Sequence, residues 1–376
     1  MAEVEIGIGK SARVAYSLDA VGVVPSRRTR DPKDVSLAWE IDAYRFELPL
    51  VSVAADAVTS PATAIALGQL GGLGVLHVEG LWTRHEEPES LIAELTELGV
   101  HKGEAAATER LRALYEAPVD PDLIARRIGD LREAGVTVAA ALRPQKVRAL
   151  SQHVLAAGVD LLVIHGTAVS AEHQSRGTEP LNLKRFIGEL DIPVLVGGCA
   201  SFSTALHLMR TGAAGVIVGV GSGLGDRTRE VLGVGVPLAT AIADAAGARM
   251  RYLDESGGRY VHVVAHGDLR TGGDVAKAIA CGADAVMVDA AFAAASDAPG
   301  QGGMWPMDVL HSDLPRGRWA PVTPTGTLAQ IVTGPGAATG TGLLNLAGGL
   351  RTAMATTGYA TLKEFQKAEV MVDAAS

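Results

Sequence analysis

Three histidines stand at the ends of predicted strands, where a side chain can take part in chemistry. They are His77, His165 and His266. Imidazoles titrate near neutral pH, so together with nearby carboxylates they are suited to acid–base catalysis. Three imidazoles could also hold a metal ion if their nitrogens converge, and each alone could be a hydrogen-bonded wall residue. The carboxylates that the same topology brings near them are those of Asp56, Asp226 and Asp289.

Two glycine-rich segments follow predicted strands. The first, GVGSGLGDRTRE at 219–230, has the candidate ligand-binding glycines Gly221, Gly223 and Gly225. The second, GDLRTGG at 267–273, opens with Gly267 and Asp268. Glycines allow backbone N–H groups to surround an anion such as a phosphate, although a glycine-rich strand-to-helix turn can be purely structural. We expect these segments to bind substrate.

Eight short apolar runs must position these residues. Their continuous apolar character is typical of parallel strands that are covered on both faces, and glycine ends several of the intervening helices. The pattern predicts an α/β fold, a (β/α)8 TIM barrel, with a doubly wound sheet as the alternative. We expect one domain over 1–376, with an N-terminal arm at 1–47 and a flap-like insertion at 297–326 after the eighth strand. The predicted strands are 48–53, 73–78, 136–142, 161–165, 192–197, 215–220, 261–266 and 285–290.

The composition narrows the class of protein. The 376 residues are 48% hydrophobic, and 42 acidic residues against 33 basic ones give a net charge of −9. That charge argues against a nucleic-acid or anionic membrane partner and leaves a small-molecule substrate. Two cysteines, Cys199 and Cys281, are too few for a disulfide framework, and no apolar run is long enough to span a membrane. We therefore expect a cytoplasmic protein.

Several long segments resemble the IMP dehydrogenase/GMP reductase family, in particular the branch that lacks the inserted CBS regulatory domain. They include DAVTSPATAIALGQLGGLGVLHVEGLWTR, VPLATAIADAAGAR and DESGGRYVHVVAHGDLRTGGDVAKAIACGADAVMV. The resemblance implies a TIM barrel that assembles into a homo-oligomer, usually a tetramer. It also implies a purine nucleotide bound through its phosphate, and NAD(P) as the hydride carrier at the same mouth.

The sequence departs from that family where the family's chemistry is done. A cysteine in a PGxxCTTR-like loop attacks the purine in the family, whereas the loop here reads SGLGDRTR and has Asp226 in that place. A carboxylate does not supply the soft thiolate that forms and releases the covalent adduct. The family's SPMD is VAAD here, which keeps Asp56, and His266 replaces a ribose-binding aspartate. Asp289-Ala290 replaces a Gly-Ser pair, and a carboxylate beside a phosphate costs about 1 to 4 kcal/mol.

Other residues are weaker candidates. Thr228 and Arg229 match the family's stretch after the cysteine and are predicted to order the loop, Thr228 as a catalytic candidate and Arg229 as a substrate-binding one. Cys199 could replace the missing nucleophile, but core packing is the favoured interpretation. Four residues of the flap-like insertion could close over a planar or anionic ligand, or could be ordinary loop residues. They are Trp305, Arg316, Arg318 and Trp319.

Three functions remain open. The favoured one is an enzyme with a repurposed site that acts by acid–base chemistry on a nucleotide-like or other small molecule. The second is an NAD(P)-dependent oxidoreductase that acts on a purine nucleotide without a covalent step. The third is a nucleotide-binding regulatory relative without catalysis. The first predicts that the new histidines share one pocket, the second predicts NAD(P) turnover, and the third predicts binding alone.

Overall fold

The fold was analysed in a computed structural model that describes residues 3–174, 180–307, 317–335 and 340–373. Eight parallel strands form one sheet in which each strand pairs with the next along the chain, and the last pairs with the first. The first two are joined by a single bridge, Val51 to Leu73, which brings the sheet to a nearly closed barrel. The TIM barrel and all eight predicted strands are confirmed. The strands are β1 Leu50–Ser52, β2 Val75–His77, β3 Ala139–Leu142, β4 Leu161–His165, β5 Val194–Cys199, β6 Gly215–Val218, β7 His262–Gly267 and β8 Ala285–Val288.

The strands form because both of their faces are covered. Every residue of β3 and β4 is buried, and Ala139 and Leu161 are completely inaccessible. Small and branched apolar residues fill the barrel interior on one side and contact the helices on the other. The same burial makes a polar side chain at a strand end conspicuous, since it has little water around it.

Helices follow the strands and cover the barrel. Between helix and strand the chain often reverses at a glycine in the left-handed region, as at Gly135 (φ 71°) and Gly282 (φ 117°). These are the glycines that the sequence predicted at the ends of the helices. The helices are α1 Pro61–Gln69, α2 Pro88–Lys102, α3 Glu104–Leu114, α4 Pro121–Glu133, α5 Val147–Ala156, α6 Leu183–Gly188, α7 Phe202–Met209, α8 Thr228–Leu232, α9 Leu238–Glu255, α10 Gly272–Ala280, α11 Ala290–Ala293, α12 Leu328–Thr333, α13 Leu346–Thr356 and α14 Leu362–Phe365.

The chain before β1 forms three short antiparallel pairs. Glu3–Gly7 pairs with Lys10–Arg13, and Trp39–Ile41 pairs with Tyr44–Phe46. The third pair joins the two ends of the chain, because Val21–Val23 lies beside Val370–Val372. Short 3-10 turns are present at Pro32–Asp34 and Leu81–Thr83.

The segment after β8 is packed onto the barrel. Gly303–Met304 pairs with Ala320–Pro321, and the side chains of Trp305 and Trp319 are fully buried. These two tryptophans, expected to close over a ligand as part of a flap, are packed into the core instead, whereas Asp297, Gln301 and Arg318 of the same segment are exposed. Arg316 lies outside the described residues. Within those residues, no helix has the length and apolar character needed to cross a membrane.

Candidate active site

A pocket opens at the carboxyl ends of the barrel strands. Its cavity has a volume of about 40 Å³ and opens to solvent. Among the described residues the lining contains two histidines, two aspartates and several glycines, but no lysine or arginine. The lining residues are Val53, His165, Gly166, Thr167, Gly219, Gly221, Ser222, Gly223, Asp226, His266, Asp289, Met304, Pro306 and Met307.

Two histidines form a pair in this pocket. His165, the last residue of β4, and His266, in β7, meet edge to face with ring centroids 5.3 Å apart. Burial lowers the pKa of His165 to about 3 and that of His266 to about 4. Both rings are therefore neutral at physiological pH. Nδ1 of His165 and Nε2 of His266 are buried without a hydrogen-bond partner in the described structure, so both are available to a ligand.

Asp289 lies beside the pair, directly after β8. Its Oδ2 lies 3.9 Å from Nε2 of His266. The same oxygen accepts a hydrogen bond of 3.0 Å from the backbone N–H of Leu224, and Oδ1 accepts one from the N–H of Ala290. Burial raises the pKa of Asp289 to about 7, although both backbone bonds oppose the shift. The carboxyl group of Asp289 is therefore about half protonated near pH 7.

Asp226 lies in the glycine-rich loop that follows β6. Gly221 (φ 67°) and Gly225 (φ 80°) adopt left-handed backbone conformations that let the loop turn back over the pocket. Asp226 closes this turn, because its N–H donates to the carbonyl of Gly223 at 3.1 Å. Its Oδ1 accepts a 2.7 Å hydrogen bond from the N–H of Thr228. A carboxylate therefore stands in the pocket where the family pattern has its cysteine.

His77 is not part of the pocket lining. It is fully buried next to Asp56, with Nδ1 of His77 3.9 Å from Oδ2 of Asp56. Neither imidazole nitrogen has a partner in the described structure. Burial and the positive charges of Arg143 and Arg84 lower the pKa of His77 well below its ordinary value. His77 therefore does not line the pocket with His165 and His266, and among the described residues no group of three His, Cys, Asp or Glu side chains could hold a metal ion.

Asp56 is the centre of a second, buried polar cluster. The hydroxyl of Tyr115 and the N–H of Leu81 both donate to Oδ2, the latter at 2.9 Å. Burial raises the pKa of Asp56 to about 6, while these donors and Arg84 hold it lower than burial alone would. Its Oδ1 is buried without a partner in the described structure. Asp56 therefore has its own network and is not in the lining of the mouth pocket.

Several residues expected to bind substrate also lie outside the lining. Gly225 is part of the loop itself. Gly267 packs closely against the loop, since a Cβ atom there would lie 3.1 Å from the hydroxyl oxygen of Ser222. Asp268 is exposed and pairs with Arg270 at 2.6 Å. Arg229 is exposed, with its side chain running along Gly235.

Three more candidates act on the loop or stand apart from the pocket. The hydroxyl of Thr228 is buried and has no partner in the described structure. Arg318 pairs with Glu104 on the surface, and its N–H donates to the carbonyl of Gly225. Trp319 packs beneath Gly99 and Gly303, where added Cβ atoms would meet its ring. Neither Arg318 nor Trp319 is therefore among the residues that line the pocket.

Sequence reasoning missed two parts of this region. Glu79 is buried just after β2 and binds Arg143 through three contacts of 2.7–2.8 Å. Its place two residues after His77 was a usable signal. Tyr115 follows α3 and meets Asp56 from far along the chain, and Met304 and Met307 line the pocket from the segment after β8. These long-range contacts had no local signal.

Neither cysteine has the exposed, low-pKa thiol of a nucleophile. Cys199 is buried in β5, and burial raises the pKa of its thiol to about 12. The pKa of Cys281 is likewise raised by burial, to about 11. Reactive cysteines are partly exposed and have lowered pKa values. Packing is the better account of Cys199.

Comparisons with known proteins agree with this architecture. Residues 15–306 match the IMP dehydrogenase / GMP reductase domain. Proteins named as uncharacterized oxidoreductases in Mycolicibacterium smegmatis and Mycobacterium tuberculosis are each 54% identical to this chain, over 98% of it and 99% of their own length. The crystal structure of an IMP dehydrogenase/GMP reductase-like protein from Corynebacterium glutamicum is 48% identical and superposes with a TM-score of 0.94, covering 99% of this chain and 98% of that one.

A more distant relative is the inosine-5′-monophosphate dehydrogenase of Methanocaldococcus jannaschii. It is 28% identical over 77% of this chain and 74% of its own length. The domain match covers far more than half of the sequence, and the close relatives align from end to end. The chain therefore belongs to the IMP dehydrogenase/GMP reductase family.

Proposed function

We propose that this family member is an enzyme that acts by acid–base chemistry at the mouth pocket, on a nucleotide-like or related small molecule. The observation that carries the proposal is the combination of Asp226 in the nucleophile loop with Asp289 and His266 side by side. Two titratable groups whose environments push their pKa values apart are a recurrent arrangement in acid–base catalysis. Here Asp289 has a pKa of about 7 and His266 one of about 4.

The proposed roles follow from those protonation states. Asp289 can hold a proton near neutral pH and is the general acid. His266 and His165 are neutral and have buried, unpartnered nitrogens, so each can hold a ligand through a hydrogen bond. Their lowered pKa values make them weak proton acceptors, so the proton is exchanged at Asp289. Asp226 orients the loop through Thr228 and presents its remaining carboxylate oxygen to the pocket. No covalent intermediate is required, which agrees with the absence of cysteine from the described lining.

The family also implies a nicotinamide dinucleotide, which is the basis of the second candidate function. Among the described residues, the lining has no lysine or arginine to pair with the charges of its pyrophosphate. We therefore derive no hydride step for this chain. Assembly into a homo-oligomer and a cytoplasmic location remain predictions, the first to be checked by light scattering on the purified protein.

Turnover by matched variants tests the proposal. The purified chain is incubated with inosine, guanosine, IMP and GMP, each with and without NAD(P), and products are followed by mass spectrometry. We expect one of these compounds to be consumed, with Asp289→Asn and His266→Gln each lowering the rate by about 10²-fold or more. Gly129→Ala, a helix substitution far from the pocket, is the control. Turnover that survives both pocket substitutions would contradict the assignment.

A further inference from the structure

Three backbone N–H groups beside the pocket already donate to carboxyl groups of the protein itself. A glycine-rich loop beside a strand end would normally offer its backbone N–H groups to a phosphate. Here the N–H of Leu224 donates to Oδ2 of Asp289, and the N–H of Ala290 donates to Oδ1. The N–H of Thr228 donates to Asp226. Two carboxyl groups of this chain thus take up three of the donors, whatever the protonation state of Asp289.

The charges around the pocket point the same way. The described lining carries two carboxyl groups and no lysine or arginine. Two arginines of the neighbouring loops have carboxylate partners: Arg227 pairs with Glu230 at 2.9 Å, and Arg270 pairs with Asp268 at 2.6 Å. Arg229 is exposed, with its side chain along Gly235. Both histidines of the lining are neutral because burial lowers their pKa values. A phosphate group would therefore meet no positive side chain in the described lining of the pocket.

The polar atoms that remain free in the pocket suit an uncharged ligand. Nδ1 of His165 is buried and unpartnered in the described structure, and Nε2 of His266 is in the same situation beside Asp289. A neutral imidazole presents one donor and one acceptor, which matches the N–H groups and ring nitrogens of a heterocycle. Val53, Met304 and Met307 supply apolar lining for its faces.

We infer that Asp289 is a specificity-determining residue that replaces the phosphate of a nucleotide with an internal carboxyl group, so that the pocket takes an unphosphorylated, uncharged or cationic purine-like compound such as a nucleoside. The inference rests on the proposed function in one respect, namely that this pocket is where substrate binds. It narrows the substrate from nucleotide-like molecules in general to those without phosphate.

Binding measurements on the intact chain test the inference. Inosine, IMP and inorganic phosphate are titrated by calorimetry into the wild type, Asp289→Gly and Asp226→Asn. We expect the wild type to bind inosine about tenfold or more tightly than IMP and not to bind phosphate measurably. Asp289→Gly frees the N–H groups of Leu224 and Ala290, so it should gain phosphate binding and favour IMP. Asp226→Asn removes a charge without opening these donors and should gain much less.

Each outcome decides the matter. IMP binding to the wild type as tightly as inosine, or failure of the wild type to bind inosine, overturns the inference. Equal gains in Asp289→Gly and Asp226→Asn overturn the role of the occupied N–H groups. Far-ultraviolet circular dichroism confirms that each variant is folded, and Asp289→Ser is a second, less disruptive variant for the same test. If the acid–base variants lose turnover but the wild type binds IMP tightly, this inference is overturned and the proposed function stands. If the wild type prefers inosine but the acid–base variants keep their turnover, only the proposed function is overturned.

Discussion

Asp289→Asn should change how the stability of this protein depends on pH. Asp289 is buried, and its pKa rises from the ordinary 3.8 to about 7 in the folded protein. A carboxyl group whose pKa is higher in the folded protein than in the unfolded chain is harder to ionise in the folded protein. The free energy of unfolding therefore falls as the pH rises from the unfolded pKa to the folded one. The stability of the wild type relative to the variant is therefore highest at low pH, falls as the pH rises above about 4, and levels off above about 7.

The size of the effect follows from the same values. A pKa difference between 3.8 and about 7 corresponds to about 4 kcal/mol, at about 1.4 kcal/mol for each tenfold change in the equilibrium constant. About 2 to 3 kcal/mol of this should be lost between pH 5 and pH 7. The asparagine keeps a carbonyl acceptor for one backbone N–H and loses the other bond, at a cost of about 1–2 kcal/mol that does not vary with pH.

Urea unfolding at pH 5, 6, 7 and 8 measures this difference, at constant ionic strength and protein concentration. The contribution of Asp56 is present in both proteins and cancels. Glu86→Gln, which removes an exposed carboxylate paired with Arg126, is the matched control and should keep the wild-type pH dependence. If the free energies of unfolding of wild type and Asp289→Asn differ by the same amount from pH 5 to pH 8, Asp289 is an ordinary ionised carboxylate and its role as proton donor is refuted.

Two further predictions concern the surroundings of the pocket. Gly80→Ala should destabilise the protein by about 2 kcal/mol or more, because its Cβ would lie 1.9 Å from Oδ1 of buried Asp56. Gly129→Ala, where the added Cβ meets nothing within 4 Å, is the control and should be neutral or stabilising by about 0.5–1 kcal/mol. If urea denaturation shows the same loss of stability in both variants, the clash at Gly80 is not its cause. In a Cys281→Ser background, the buried thiol of Cys199 should react with Ellman's reagent at pH 8 only after unfolding in urea. Rapid labelling of the native protein would instead indicate an accessible nucleophile.

The sequence was sufficient for the barrel because burial on both faces leaves a continuous apolar signature in every strand. The strand ends were less certain: 48–53 was predicted for a strand that spans Leu50–Ser52. The site was predicted only in part, since successive residues of a strand point to opposite faces and a strand end does not fix the direction of its side chain. Hence His165 and His266 share the pocket, whereas His77 is buried next to Asp56, 3.9 Å from its Oδ2. Tyr115 reaches that cluster through tertiary packing, which no local pattern encodes.

The proposed function requires that this chain has replaced covalent cysteine chemistry with acid–base chemistry at Asp226, Asp289 and His266. The most direct measurement is to incubate the purified wild type with IMP and NAD⁺, and to follow the xanthine nucleotide by chromatography and the intact protein by mass spectrometry. We predict no xanthine nucleotide above the level without enzyme, and no protein adduct. Sustained NAD⁺-dependent formation of the xanthine nucleotide would contradict the claim.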